Sequence, residues 1–274
     1  MSIMPVLPGH SGRSRAAVPL LAALRMLAAV FCPLECAGCG LRGSLLCPAC
    51  AHPFTAAARL ARPAPVPRGL PAARTVAAYD GLVRTVLGRH KEAGRLGLTR
   101  PLGFALATAV EAVVESAEDQ GLAADGRLGR GVEYALVPVP SRRGALRRRG
   151  HDPVRGLVRQ AAAELRIRGH RVVVLPVLRH ARSVRDQAGL TAAERADNLA
   201  GALRMPARFR HLVAERLVVV ADDIITTGAT LTEAARAVTV AGGQVVGAAT
   251  VAATPRRLSV CSLREGADLR KVAT

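Results

Sequence analysis

The most informative stretch of the chain runs Leu217-Val-Val-Val-Ala221-Asp222-Asp223-Ile-Ile-Thr226-Thr227-Gly228-Ala229-Thr230. Five consecutive apolar residues read as a strand buried on both faces, the kind found in parallel sheets. That strand carries two adjacent carboxylates to its C-terminal edge. A short loop of threonines and glycine follows, and a helix is expected from about Thr230 to Ala241. Such a loop can aim backbone N–H groups and hydroxyls at one anion, assisted by the positive end of the helix. Gly228 lets the backbone approach closely and adopt a conformation other residues resist.

Carboxylates beside an anion cradle look contradictory, since like charges repel. The conflict disappears if the ligand carries vicinal hydroxyls next to its phosphate, because an ionised Asp accepts hydrogen bonds from hydroxyls. A ribose 5-phosphate has both features. A plainer alternative makes Thr230 an N-cap and Asp222/Asp223 a solvated turn. The ordered set of acids, threonines and glycine after a buried strand weighs against it.

Outward from this loop, strands and helices alternate. Val132–Pro140 reads as a buried strand and 155–168 as a helix with Leu157, Val158, Ala161 and Leu165 inward. Further strands are expected at Val172–Leu178 and Val245–Ala252. Upstream, a helix is expected from Thr99, as N-cap, to about Gln120, with Leu102, Ala105, Leu106, Ala109 and Val113 on one face and Gly121 ending it. The alternation predicts an α/β fold, a parallel sheet with helices on both faces, whose ligands sit beyond the C-terminal strand ends.

Pro138-Val-Pro-Ser141-Arg142-Arg143-Gly-Ala-Leu-Arg-Arg-Arg149-Gly follows the first of these strands. Guanidinium forks match phosphate oxygens bidentately, so this loop is either a second anion site or a solvated basic loop. The formal charge is +19, and all but two of the 39 basic residues are arginine. Such a charge suits a polyanion partner or reflects compositional bias. Aromatic residues are 2% of the chain and Trp is absent, which argues against reading single-stranded bases by ring stacking.

Six cysteines are present, and five lie between Cys32 and Cys50, with Cys261 apart. Clustering favours metal or redox chemistry in a reducing compartment over a secreted disulfide framework. Cys36-x₂-Cys39 and Cys47-x₂-Cys50 form two thiolate pairs, a ligand set for a closed, structural zinc site; a free redox pair or an empty site is the alternative. Cys32 is a spare thiol or a register alternative, and His52 could stand in only if one cysteine failed. The apolar stretch Val18–Leu34 is interrupted by Arg25, and no apolar run approaches the ~20 residues of a membrane span. Leu20, Leu24, Leu27 and Phe31 suggest an amphipathic helix there. A cytoplasmic protein without a membrane span is expected.

The acidic–threonine loop resembles the phosphoribosyl pyrophosphate signature of type I phosphoribosyltransferases. The resemblance implies that Asp222 and Asp223 contact the ribose hydroxyls and that Thr226, Thr227, Gly228, Ala229 and Thr230 hold the 5-phosphate. Ala221 departs from the Val or Leu often found before the acids. The order of motifs narrows the family: four paired cysteines, Tyr79…Gly81…Lys91…Gly94, the Val-Pro-Val-Pro and arginine run, Gln187-x-Gly-Leu…Glu194-Arg195…Asn198, then the acidic loop. Over about residues 20–254 this is similar to the ComF family of phosphoribosyltransferase-like proteins linked to competence and DNA uptake. Many members carry Phe-Asn-Gln where this chain has His151-Asp152-Pro153.

The resemblance implies phosphoribosyl pyrophosphate with Mg²⁺, structural Zn²⁺, and a substrate site including Ser141, Arg142, Arg143, Arg149 and Lys91. Gln187, Arg195 and Asn198 become flexible-loop candidates. It also raises single-stranded DNA or the DNA-uptake machinery as partners, and a non-catalytic sensor as a third reading. The expected organisation is a tail and amphipathic helix (1–31), a four-cysteine zinc module (32–54), a Pro-rich linker (55–75) and a phosphoribosyltransferase-like domain (76–274).

Overall fold

Eight strands and six α-helices are described in the computed structural model, which covers residues 34–121, 133–141, 143–181, 201–214 and 216–255. The expected helix before residue 32, Cys32, Cys261, Arg142, Gln187, Arg195 and Asn198 lie outside the described residues. In chain order the elements are α1 (Pro48–Ala51), β1 (Arg59–Ala61), β2 (Ala73–Ala78), α2 (Gly81–Lys91), α3 (Thr99–Asp119) and β3 (Tyr134–Pro138). Then follow α4 (Arg143–Arg149), α5 (Pro153–Ile167), β4 (Val172–Val174), β5 (Arg179–His180), β6 (Leu203–Arg204), β7 (Leu217–Ile225), α6 (Ala229–Val240) and β8 (Gln244–Ala253).

Six strands form one sheet in the order β1-β2-β8-β7-β3-β4, parallel except for the antiparallel edge strand β1. The central strand β7 is buried between β8 and β3, as its apolar run requires. Its side chains alternate: Leu217, Val219 and Ala221 enter the core shared with α2, α3 and α5. Val218 and Val220 enter the core under α6. Helices therefore cover both faces, the α/β architecture expected.

Several boundaries differ from expectation for physical reasons. Strand β7 runs past Ala221 to Ile225 because β8 keeps pairing with it, Asp222 opposite Thr250 and Ile225 opposite Ala253. The acids thus belong to the rigid strand rather than to the loop. Strand β4 stops at Val174, short of Leu178; Pro176, with no N–H, cannot continue a ladder. Thr99 begins α3 rather than capping it, since the 3₁₀ turn Leu96–Leu98 feeds directly into the helix and the Thr99 hydroxyl bonds His90 Nε2 at 3.1 Å. The five residues expected on its inner face are all buried.

The apolar stretch Leu96–Asp119 is long and apolar enough to cross a membrane, which qualifies the expectation that no such run exists. Alanine and valine raise its hydropathy, yet those side chains pack on the sheet and α5. The proline-rich stretch read as a linker contributes to the fold: Arg59–Ala61 pairs with Ala73–Thr75, and Ala61 and Ala73 are buried. The cysteine segment is also joined to the body, because Ala37 and Phe54 enter the main core.

Candidate functional site

At the C-terminal end of β7, strand alternation turns Asp223 toward the α2 side, while Asp222 continues the row of Val218 and Val220. Asp223 is 3% exposed, and an isolated buried carboxylate is costly unless paired. Its partner is Lys91, the last residue of α2, whose Nζ lies 2.7 Å from Asp223 Oδ2. The Asp223 N–H donates to Asp222 Oδ1 at 2.8 Å. Burial and then the neighbouring Asp223 charge push the Asp222 carboxyl well above the usual carboxylate range, against the pull of Lys91. Burial opposes the Lys91 charge, but Asp223 and Asp222 outweigh it and raise its pKa. Burial also brings neighbouring His90 down to about 4, so of these two residues only Lys91 carries charge near neutrality.

The loop beyond β7 turns at Gly228, which has φ +81. A Cβ there would also lie 3.1 Å from Leu70 and 3.3 Å from Pro63, both from the proline-rich stretch. Gly228 occupies the N-cap of α6 with no side-chain cap. The capping role weighed for Thr230 is thus not adopted; Thr230 lies inside the first turn. Thr227 Oγ1 accepts from the Ala229 N–H at 3.5 Å. The first N–H groups of a twelve-residue helix are consequently presented close to the acids.

From the other side comes the segment after β3. Ser141 Oγ donates to Asp152 Oδ1 at 2.9 Å, and the same oxygen accepts from Arg155 N–H at 3.2 Å, capping α5. With Pro153 in the first turn, the His151-Asp152-Pro153 departure is a helix start. His151 Nδ1 bonds the Arg149 carbonyl at 2.9 Å. Arg149 is pinned by Glu92, just past α2, with Nε 3.0 Å from Oε2 and a second contact from the guanidinium. Arg143 opens α4, while Arg147 and Arg148 are exposed.

Lys91, Ser141, Arg149, Asp222, Asp223, Thr226 and Thr230 line one cavity of about 330 Å³. Thr227, Gly228 and Ala229 shape the turn behind it. Pro140, Ala145, Val154 and Ile224 also line the cavity; being apolar, they carry no chemical signature in the sequence. A larger groove of about 730 Å³ lies between Pro67–Pro71 and α6. Two of its charged groups, Glu233 and Arg236, already pair at 2.7 Å, so it offers few polar groups converging on one point. The smaller cavity, with acids, lysine, arginine and hydroxyls on one spot, has the chemistry of a sugar-phosphate site and a volume within the range of ligand pockets.

The four cysteines Cys36, Cys39, Cys47 and Cys50 form the second centre, with all Sγ atoms within 4.8 Å of one another. Cys39 and Cys47 sulfurs are 3.8 Å apart; four thiolates about 2.3 Å from one zinc ion would be spaced by about 3.8 Å. The residues therefore fit a closed tetrahedral Zn²⁺ site. Burial works against ionising Cys36, but N–H groups of Cys47, Cys39 and Gly38 outweigh it and bring the thiol down to about 6. Burial and the neighbouring thiols push Cys50 up to about 12. His52 is exposed and stands outside the cluster.

A central parallel sheet with an acidic–threonine turn at the end of its middle strand defines a phosphoribosyltransferase-like α/β protein. Residues 155–260 match the phosphoribosyl transferase domain family. That match spans α5, β7, the acidic loop, α6 and β8, and it supports a phosphoribosyl-pyrophosphate-binding function. No curated protein shows significant similarity to the chain.

Proposed function

We propose that the chain binds phosphoribosyl pyrophosphate with Mg²⁺ in the 330 Å³ cavity and transfers the phosphoribosyl group to an acceptor not yet identified. The observation that carries this reading is the placement of Asp222 and Asp223 beside the α6 N-terminus, facing Lys91, Ser141 and Arg149 across one cavity. Asp222 and Asp223 accept from the ribose hydroxyls, and Thr226 to Thr230 receive the 5-phosphate. Ser141, Arg149 and Lys91, which line the same cavity, face the pyrophosphate. The carboxylate oxygens of the site suit a hard cation, and Mg²⁺ when bound supplies neutralisation of the leaving group. The four-cysteine centre keeps no open coordination position and serves structure.

Motif order supports placing the chain with the ComF family, with residues 32–54 as the zinc module and 76–274 as the phosphoribosyltransferase-like domain; clustered cysteines support a cytoplasmic setting. Arg147 and Arg148 are exposed, and exposed Arg155 and Arg159 line a separate cavity of about 380 Å³; together they support a second reading, an accessory protein of DNA uptake that binds single-stranded DNA. Calorimetry with phosphoribosyl pyrophosphate and Mg²⁺ tests the first; no binding by the wild type sinks it. Binding without turnover across a panel of bases and amines makes the protein a sensor. Steep weakening of oligonucleotide binding with salt supports the second reading.

A further inference from the structure

Helix α2 stands between the cavity and the cysteine cluster, and its two faces have different partners. Leu82 and Arg89 are two turns apart and share a face, whereas Lys91 lies about 200° of helical rotation beyond Arg89, on the opposite side. On the first face, Leu82 packs against buried Cys36, Cys47 and Cys50. The approach is close enough that a Cβ on Gly38 would lie 2.8 Å from Leu82 Cδ1 and 2.5 Å from Cys50 Sγ. Arg89 donates to the carbonyl of Cys36 at 3.1 Å, and Arg95 donates to the carbonyl of Glu35 at 2.7 Å. On the opposite face, Lys91 meets Asp223.

We propose that Arg89 and Leu82 are positioning residues through which the metal-loaded cysteine cluster holds Lys91 against Asp223. Affinity for the sugar pyrophosphate then depends on a metal that never touches it. The proposal rests on reading the cavity as the phosphoribosyl pyrophosphate site. Val83, Val86 and Leu87 bury in the main core, so α2 stays folded when the cluster is disturbed. Apolar contacts are non-directional, and on the body side the end of α2 is also tied by His90 Nε2 to the Thr99 hydroxyl at 3.1 Å. The directional restraint on the module side is the bond from Arg89 to the carbonyl of a ligand residue. Losing the metal frees that carbonyl to move, and Lys91 at the end of the same helix moves with it.

The test uses the zinc-loaded 274-residue chain and its Arg89→Ala, Arg89→Lys, Lys91→Ala and Arg89→Ala/Lys91→Ala variants. Zinc content, amide hydrogen exchange over residues 81–92, and calorimetric affinity for phosphoribosyl pyrophosphate with Mg²⁺ are measured. Arg89→Ala is expected to retain its zinc, exchange faster at the end of α2, and bind roughly tenfold more weakly. Arg89→Lys, which keeps one donor, recovers part of the loss. The double variant binds no more weakly than Lys91→Ala alone, because both changes break one chain of contacts. Chelation of the wild-type zinc reproduces the faster exchange. Unchanged exchange in Arg89→Ala, or losses that add in the double variant, overturns the proposal. If the wild type binds no phosphoribosyl pyrophosphate, the cavity reading fails, and the exchange results alone decide the coupling.

Discussion

The two polar centres of this protein are assembled in opposite ways. The cysteine cluster takes four identical groups from one short stretch, Cys36–Cys50, and closes them on a point. The cavity takes unlike groups from α2, the β3–α4 segment, β7 and α6, and leaves one side open. A closed set of like ligands saturates a metal and serves structure; an open set of unlike ones can bind a ligand with several kinds of polar group. The difference also predicts how each fails. Damage to the first should reach the fold, and damage to the second should reach the ligand.

The largest expected effect tests the cavity. Asp222→Asn/Asp223→Asn should weaken phosphoribosyl pyrophosphate binding by about a hundredfold or more in calorimetry, since two charge-assisted acceptors of sugar hydroxyls are lost. Unaltered affinity would separate the acids from the ligand. Cys36→Ser should abolish zinc binding by elemental analysis and lower the midpoint of chemical denaturation, because metal binding free energy is folding free energy. A fully stable, metal-free variant would collapse the contrast between the centres.

Lys91→Met should destabilise the chain by roughly 1–3 kcal/mol in urea, through the unsatisfied buried Asp223 left behind. A smaller effect concerns pH. The Asp222 carboxyl has a raised pKa in the folded chain, so the folded state holds this proton to higher pH than the unfolded one. Stability from this group therefore falls as pH rises above the ordinary carboxylate value of about 4 toward the raised one. Asp222→Asn should accordingly raise the melting temperature at neutral pH while removing sugar binding. A lowered melting temperature at neutral pH would contradict the burial account. The smallest effect is at Glu92→Gln: Glu92 is 63% exposed, and the loss should stay below about 1 kcal/mol.

Much of the fold is legible in the chain itself. The run from Leu217 to Ala221, bounded by the Thr-Thr-Gly turn, reads as a strand covered on both sides, and α3 and α5 declare their inner faces at helical spacing. The cysteine spacing is equally direct, since two pairs of near neighbours need only a turn to converge. The boundary at Thr99 is misread from sequence because propensity for a cap loses to a tertiary contact with His90. The proline-rich stretch reads as a linker because prolines conceal short pairing, yet Pro63 and Leu70 close against Gly228.

The sequence alone determined the parallel α/β class, the acidic–threonine turn at Asp222–Thr230 and the four-cysteine spacing, because each is written in contiguous residues whose periodicity or spacing leaves few geometries. Tertiary structure alone decided that Asp223 faces Lys91, that Arg149 is held by Glu92, and that the cysteine cluster leans on the helix whose end carries Lys91. Those pairings join residues far apart in the chain. They depend on crossover connections and on which helix covers which face, and no local pattern encodes either.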